Sequence, residues 1–131
     1  MGKRIIQQAR GHGSKTYRVR VKAFIYKVKY QKKLEGSGVV VKLLNSRAHS
    51  APLAKINYHQ GSFYIPAFKG AVEGQKINFG GNGINMGDIT ELKNIPIKTQ
   101  IYNIESKPGD GGVFIKTAGS SAVVNRIVGD K

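Results

Sequence analysis

Short apolar runs rich in Val, Ile, Leu, Phe and Tyr recur through the middle of the chain, at residues 39–44, 53–58, 63–68 and 76–79. They are separated by stretches containing Gly, Asn, Ser or Pro, the punctuation expected of short β-strands. In the third run Tyr64-Ile65-Pro66 includes a proline, which cannot donate to a ladder and confines that run to an edge or a bulge. No stretch keeps a 3.6-residue apolar period over three turns, so helices do not organise the chain. The pattern predicts an all-β protein whose central part is a small barrel such as an OB-fold.

On either side of this region the pattern changes. Upstream, residues 16–30 (TYRVRVKAFIYKVKY) alternate in part, with cations at 18, 20 and 22 and Tyr or Val at 17, 19 and 21. A strand would place those cations on one face, but an extended arm is the preferred reading. Gly36-Ser37-Gly38 reads as a flexible joint between arm and body. Downstream, residues 100–105, 113–116 and 121–128 read as three strands of a second β-unit. The expected organisation is therefore an arm at 1–36, a barrel at 37–86 and a further β-unit at 87–131.

Charge sharpens this division. The 131 residues carry 22 Lys+Arg and 7 Asp+Glu, a formal net charge of +15. Half of the cations fall in the first quarter of the chain: Lys3, Arg4, Arg10, Lys15, Arg18, Arg20, Lys22, Lys27, Lys29, Lys32 and Lys33, with no acid among residues 1–33. Such a segment repels itself, so it is expected to stay extended until it meets a polyanion. Arg offers bidentate phosphate contacts, while Tyr17, Phe24, Tyr26 and Tyr30 are candidates for stacking on unpaired bases. Further candidate contacts are Arg47, His49 and Lys69. A second class of contact is offered by Lys107-Pro108-Gly109-Asp110-Gly111-Gly112, where Gly109, Gly111 and Gly112 can bring backbone N–H groups close to a phosphate. Lys107 and, further on, Lys116 add charge. A plain hairpin loop is an equal reading of this motif.

Other chemistry finds little support. With zero Cys there is no disulfide scaffold, thiolate zinc site or cysteine nucleophile. His12, His49 and His59 show no metal-ligand spacing, and the carboxylates are isolated, so neither a metal nor a catalytic site is expected. His49-Ser50, the nearest approach to a base–nucleophile pair, would point to opposite faces of a strand. The sequence contains neither a membrane-length apolar run nor, at MGKRIIQQARGHG, the apolar core of a secretory leader. The expectation is a binding protein without a cofactor, membrane or small-molecule substrate.

Several motifs give this expectation a family. The opening Met1-Gly-Lys-Arg-Ile-Ile-Gln-Gln, Arg10-Gly-His-Gly, Ser50-Ala-Pro-Leu-Ala-Lys55 and Gly87-Asp-Ile-Thr-Glu-Leu-Lys-Asn-Ile-Pro96 resemble the large-subunit ribosomal protein L-two family of archaea and eukaryotes. The most specific stretches are Tyr102-Asn-Ile-Glu-Ser-Lys-Pro-Gly-Asp-Gly-Gly112 and Ala118-Gly-Ser-Ser-Ala122. The resemblance covers most of the chain. It implies an OB-fold followed by an SH3-like barrel, on large-subunit ribosomal RNA and beside neighbouring ribosomal proteins in the cytoplasmic ribosome. By position, the arm would thread between rRNA helices, the loop of Lys107 to Gly112 would pack on RNA backbone, and Lys116 falls where the family usually has a basic residue.

Two departures qualify the resemblance. Where the family usually reads Asp-Pro-x-Arg, this chain has Ser46-Arg47-Ala48-His49, so a weaker phosphate ligand stands in the Arg position. The second barrel would also be partial, and a truncated chain or one half of a divided protein is expected. The alternative function is a free-standing OB-fold for single-stranded nucleic acid, stacking bases on Tyr58, Phe63, Tyr64 and Phe68. Core packing of those four aromatics is the favoured reading.

Overall fold

The computed structural model describes residues 2–81 and 85–129. Among them the dominant elements are antiparallel strands. A four-stranded sheet has the order β3-β2-β1-β4, formed by β1 (Gly36–Leu44), β2 (Leu53–Tyr58), β3 (Gly61–Pro66) and β4 (Lys76–Phe79). A separate two-stranded pair joins β5 (Gln100–Ile101) to β6 (Ala122–Val123). The alternation of side chains along the four long strands separates a wet face from a dry one. Val40, Ala54, Ile56, Phe63, Ile65, Ile77 and Phe79 form the buried core. Tyr30, Leu34, Leu43, Tyr58, Ala67, Phe68 and Ile89 pack against it.

The three glycine-flanked residues expected to be a joint are instead the start of β1. Gly36, Ser37 and Gly38 pair with Phe79, Asn78 and Ile77. Gly38 is there for space rather than flexibility. A Cβ at this position would lie 2.8 Å from both Ile56 Cγ2 and Phe79 Cζ, and 2.9 Å from the Asn57 carbonyl oxygen. The missing side chain lets two core residues close over the strand.

Register slips once, between Val40 and Lys42, where Val41 is an extra residue on β1. Before the slip Val40 opposes Ile56, and after it Lys42 opposes Lys55 and Leu43 opposes Ala54. The bulge thus keeps Leu43 turned toward the core and aims Lys42 at solvent. Both sheet edges carry a single-residue bridge from another part of the chain, Val28 beside Tyr64 on β3 and Ile89 beside Phe79 on β4. Such cover blunts the exposed ladder of an edge strand.

The basic segment is less extended than its charge suggests. Ile6–Arg10 forms one short helix, α1, and Val21–Phe24 a 3-10 turn that interrupts the alternation of residues 16–30. Beyond that turn the backbone is tied to the body. Lys29 N–H donates to the Tyr64 carbonyl at 3.1 Å and Tyr30 N–H to the Gly111 carbonyl at 3.0 Å. Apolar Tyr30 and Leu34 supply the reason, since both gain core contacts that a free arm would forgo.

The three downstream strands are shorter than their sequence predicts. Beyond β5 and β6 the strand pairing among the described residues of this part is one bridge, Ile104 with Phe114. Asn103 (φ 51°) and Ile115 (φ 57°) take left-handed backbone, which ends an extended run at each point. Val113, Phe114, Val123, Ile127 and Val128 are exposed, so this part contributes little core. Tyr102 anchors it to the main sheet by donating its hydroxyl to the Pro66 carbonyl at 2.7 Å.

Candidate nucleic-acid interface

The basic positions of the first 33 residues are all solvent-exposed in the structure, from Lys3 to Lys33. Among the described residues the one salt bridge joins Lys93 to Glu91, so none of these cations is in a salt bridge. Local contacts give the outer part some shape. Arg4 Nη1 hydrogen-bonds His12 Nε2 at 2.9 Å, and the Arg10 guanidinium lies 5.7 Å from the centre of the Tyr17 ring. Arg10 therefore occupies one face of the proposed Tyr17 platform by a cation–π contact.

The inner part is held more tightly. Lys27, Lys29, Lys32 and Lys33 stand on the backbone that bridges to Tyr64 and Gly111, so their positions are fixed relative to the sheet. Tyr26 packs on Tyr64, with ring centroids 4.9 Å apart. Tyr30 is buried, and burial pushes its phenol up to about 12. It is a core residue, not an open stacking platform. Tyr102 is likewise raised by burial.

Arg47 is exposed in the β1–β2 connection, while His49 is half-buried. His49 Nδ1 lies 2.9 Å from Ser46 Oγ, and its ring meets Phe24 edge-to-face at 6.1 Å. That pairing joins the 3-10 turn to the connection and leaves Arg47 free to face a partner. Lys69 is exposed just after the third strand.

The glycine-rich loop has a different arrangement from an open phosphate cradle. Asp110 Oδ2 accepts the N–H groups of Ser106 and Lys107, both at 2.8 Å, and its Oδ1 accepts that of Gly112 at 3.0 Å. Glu105 accepts the N–H of Gly109 at 3.2 Å and of Gly111 at 3.0 Å. The anion that fills this nest is the chain's own pair of carboxylates. Gly111 and Gly112 are buried, and a Cβ on either would collide with the side chain of Lys29 or Asn103 respectively. Lys116 Nζ donates inward, to Gly112 O at 3.2 Å and Val28 O at 3.4 Å. The loop is thus a clasp around the base of the arm, and Lys107 is its outward charge. Asn103 is buried beside it, with its side-chain amide next to the Tyr30 hydroxyl.

Asp110 also makes the clasp sensitive to acid. The Lys107 backbone N–H first, then those of Gly112 and Ser106 and the nearby Lys29 charge, hold its carboxyl below the ordinary aspartate value of 3.8. A lowered folded-state value means that the stabilisation is present above the ordinary range and lost as pH falls through the lowered one. The Ser106, Lys107 and Gly112 amides should therefore be protected from exchange at pH 5–7 and lose protection on acidification below that range. In Asp110→Asn their protection should not change with pH over the same interval.

One set of cations escapes a reading of the sequence by segments. Lys42, Lys55 and Lys76 each sit on a different strand, yet the register places all three on the solvent face of the sheet. The period-two pattern of each strand carries that signal, but only the pairing brings them together.

With this geometry in view, the comparison with known proteins is specific. The family described as Ribosomal Proteins L2, C-terminal domain, matches residues 85–131. A large ribosomal subunit protein uL2 of Sulfurisphaera tokodaii is 40% identical over 135 residues, covering 100% of this chain and 56% of that protein. The chain belongs to the ribosomal protein L2 family. The uL2 of Thermoplasma acidophilum is 41% identical over 126 residues, 95% of this chain and 53% of its own length. That of Hyperthermus butylicus is 39% identical over 136 residues, again 100% of this chain, and 57% of its own. The L2-family chain thus spans about half the length of these curated relatives. The three matches span 95 to 100% of this chain.

Proposed function

We propose that this chain is a structural, non-enzymatic constituent of the large ribosomal subunit, working in the cytoplasmic ribosome. It binds large-subunit rRNA and sits against neighbouring ribosomal proteins. One observation carries the reading: eleven exposed cations between Lys3 and Lys33, with no acid among them and no salt bridge. In this reading residues 1–36 are the RNA-binding arm, 37–86 an OB-fold-like unit and 87–131 part of an SH3-like barrel. Phosphate neutralisation supplies most of the affinity, and RNA shape with fitted loops supplies specificity. Lys3, Arg4, Arg10, Lys15, Arg18, Arg20, Lys22, Lys27, Lys29, Lys32, Lys33, Arg47, Lys69 and Lys107 are the cations offered to phosphate, about six to ten of them engaged at once, chiefly on the outer arm. Tyr17 and His49 lend aromatic surface, while Gly109, Gly111, Gly112 and Lys116 hold the clasp that presents Lys107.

The alternative of a free-standing module for single strands is the weaker one. Phe63 is in the core, and Tyr58 and Phe68 pack against it, which leaves Tyr64, half-buried beside Tyr26, as the one of the four outside the core cluster.

The test is binding of the full chain to a large-subunit rRNA transcript across a salt series. With six to ten phosphates engaged, affinity should fall by about 10³–10⁵-fold between 50 and 200 mM salt. A binding constant that stays flat over that range contradicts the reading.

A further inference from the structure

The four strands of the main sheet contain three lysines and no acidic residue, and the pairing turns all three lysines to the same face. Two of them form a direct cross-strand pair, Lys42 on β1 opposite Lys55 on β2. Like charges placed opposite one another destabilise a sheet. This pair exists because of the bulge at Val41, since a regular ladder would have put Val41 opposite Lys55 and turned Lys42 toward the core. Neither lysine has a carboxylate within salt-bridge distance among the described residues. Glu73, on the loop before β4, is engaged by the backbone, where its Oε1 accepts the Leu43 N–H at 3.0 Å.

The same row continues across the sheet. Lys55 opposes Tyr64 on β3, and the Tyr64 ring packs on Tyr26 from the basic segment. Two unneutralised ammonium groups therefore stand beside a partly exposed aromatic pair, on a face that also presents Lys76, Val39 and Asn57 to solvent. A phosphate bridging two ammonium groups relieves their repulsion, and a tyrosine ring offers a π-face to any base. Those are the two halves of one nucleotide. Because Tyr26 and the adjoining Lys27 belong to the arm, the face is continuous with the arm's own charge.

We propose that the solvent face of the four-stranded sheet, where it adjoins the inner end of the arm, is a second RNA-contact site, at which Lys42 and Lys55 hold a phosphate and the Tyr64–Tyr26 pair takes an unpaired base. The site rests on the rRNA-binding reading and adds to it a ligand element: a nucleotide whose base is out of its helix.

The experiment uses the full chain and a large-subunit rRNA transcript carrying 4-thiouridine, with photo-cross-linking and a salt series for each variant. Tyr64 should appear among the cross-linked residues. The variant Lys42→Gln/Lys55→Gln should bind more weakly, with a salt slope smaller by roughly 1, while its unfolding midpoint stays level or rises because a like-charge pair is gone. Tyr64→Ser should lose about 5- to 150-fold in affinity, and Tyr64→Phe should retain it because the ring survives. Cross-links confined to residues 2–25, with unchanged affinity and slope in the lysine variant, would overturn the sheet site and leave the rRNA-binding reading standing. A lysine variant that unfolds more easily would overturn it too, by giving the pair a structural role. Failure of the unsubstituted chain to bind the transcript at all would remove both readings.

Discussion

Replacing Lys3, Arg4, Arg10, Lys15, Arg18, Arg20 and Lys22 by glutamine should abolish most of the salt dependence of rRNA binding. These seven positions are exposed, lie outward of the stretch that is tied to the sheet, and contribute no core contact. If each meets one phosphate, their loss should lower the slope of log K against log salt by about 5, at ~0.7 per phosphate for a single-stranded polyanion. Over a fourfold rise in salt this corresponds to roughly 10³-fold less sensitivity. The design leaves Lys27, Lys29, Lys32 and Lys33 in place because their backbone holds the fold together. Deleting everything to residue 36 would confound binding with folding, since Tyr30 and Leu34 pack on the core. Unfolding of the glutamine variant, followed by circular dichroism, should match that of the parent chain. A slope unchanged by the seven replacements would move the main RNA contact from the arm to the sheet and clasp.

The second large effect concerns stability. Ile56 is fully buried, lies opposite Val40 and Phe63 in the two ladders that flank β2, and closes over Gly38. Ile56→Ala should cost about 2–5 kcal/mol, combining lost transfer energy with a cavity in a core that has few residues to spare. In thermal unfolding that is a fall of at least about 8 °C for a chain of this size. Val39→Ala is the natural control, because Val39 is on the same sheet but faces solvent, 42% exposed. It should change stability by less than about 1 kcal/mol. Equal losses at the two positions would mean that the dry face of the sheet has been misassigned.

Much of the main sheet was legible in the sequence because its strands obey local rules. The runs at 53–58 and 76–79 match β2 and β4 at both ends, with Pro52 immediately before the first and Gly80 immediately after the second. Gly36-Ser37-Gly38 misled for a physical reason. A glycine that supplies flexibility and one that makes room for Ile56 and Phe79 are the same letter, and only the tertiary contact separates them. Residues 16–30 alternate only in part, and the 3-10 turn at Val21–Phe24 breaks the pattern, so the one ladder contact in this range is the bridge from Val28 to Tyr64. In the downstream part, Asn103 and Ile115 adopt left-handed backbone that no propensity scale assigns to an isoleucine.

The site was legible unevenly for similar reasons. Exposure of the arm follows from its charge alone, since cations without partners stay in water. The occupation of the glycine-rich loop by Glu105 and Asp110 could have been suspected from their spacing, but which N–H each accepts depends on the turn. The Lys42–Lys55 pair was hidden altogether. It is created by a one-residue bulge, and a register shift leaves no mark in the composition of either strand.

The central claim is that positive charge concentrated before residue 34 is there to meet ribosomal RNA. Density for this chain within a large ribosomal subunit, read for RNA phosphates near each side chain, tests it most directly. The account predicts phosphate oxygens within hydrogen-bond reach, about 2.7–3.2 Å, of most of the cations from Lys3 to Lys33. A chain seated in the subunit with that segment turned into solvent, away from RNA, would contradict it.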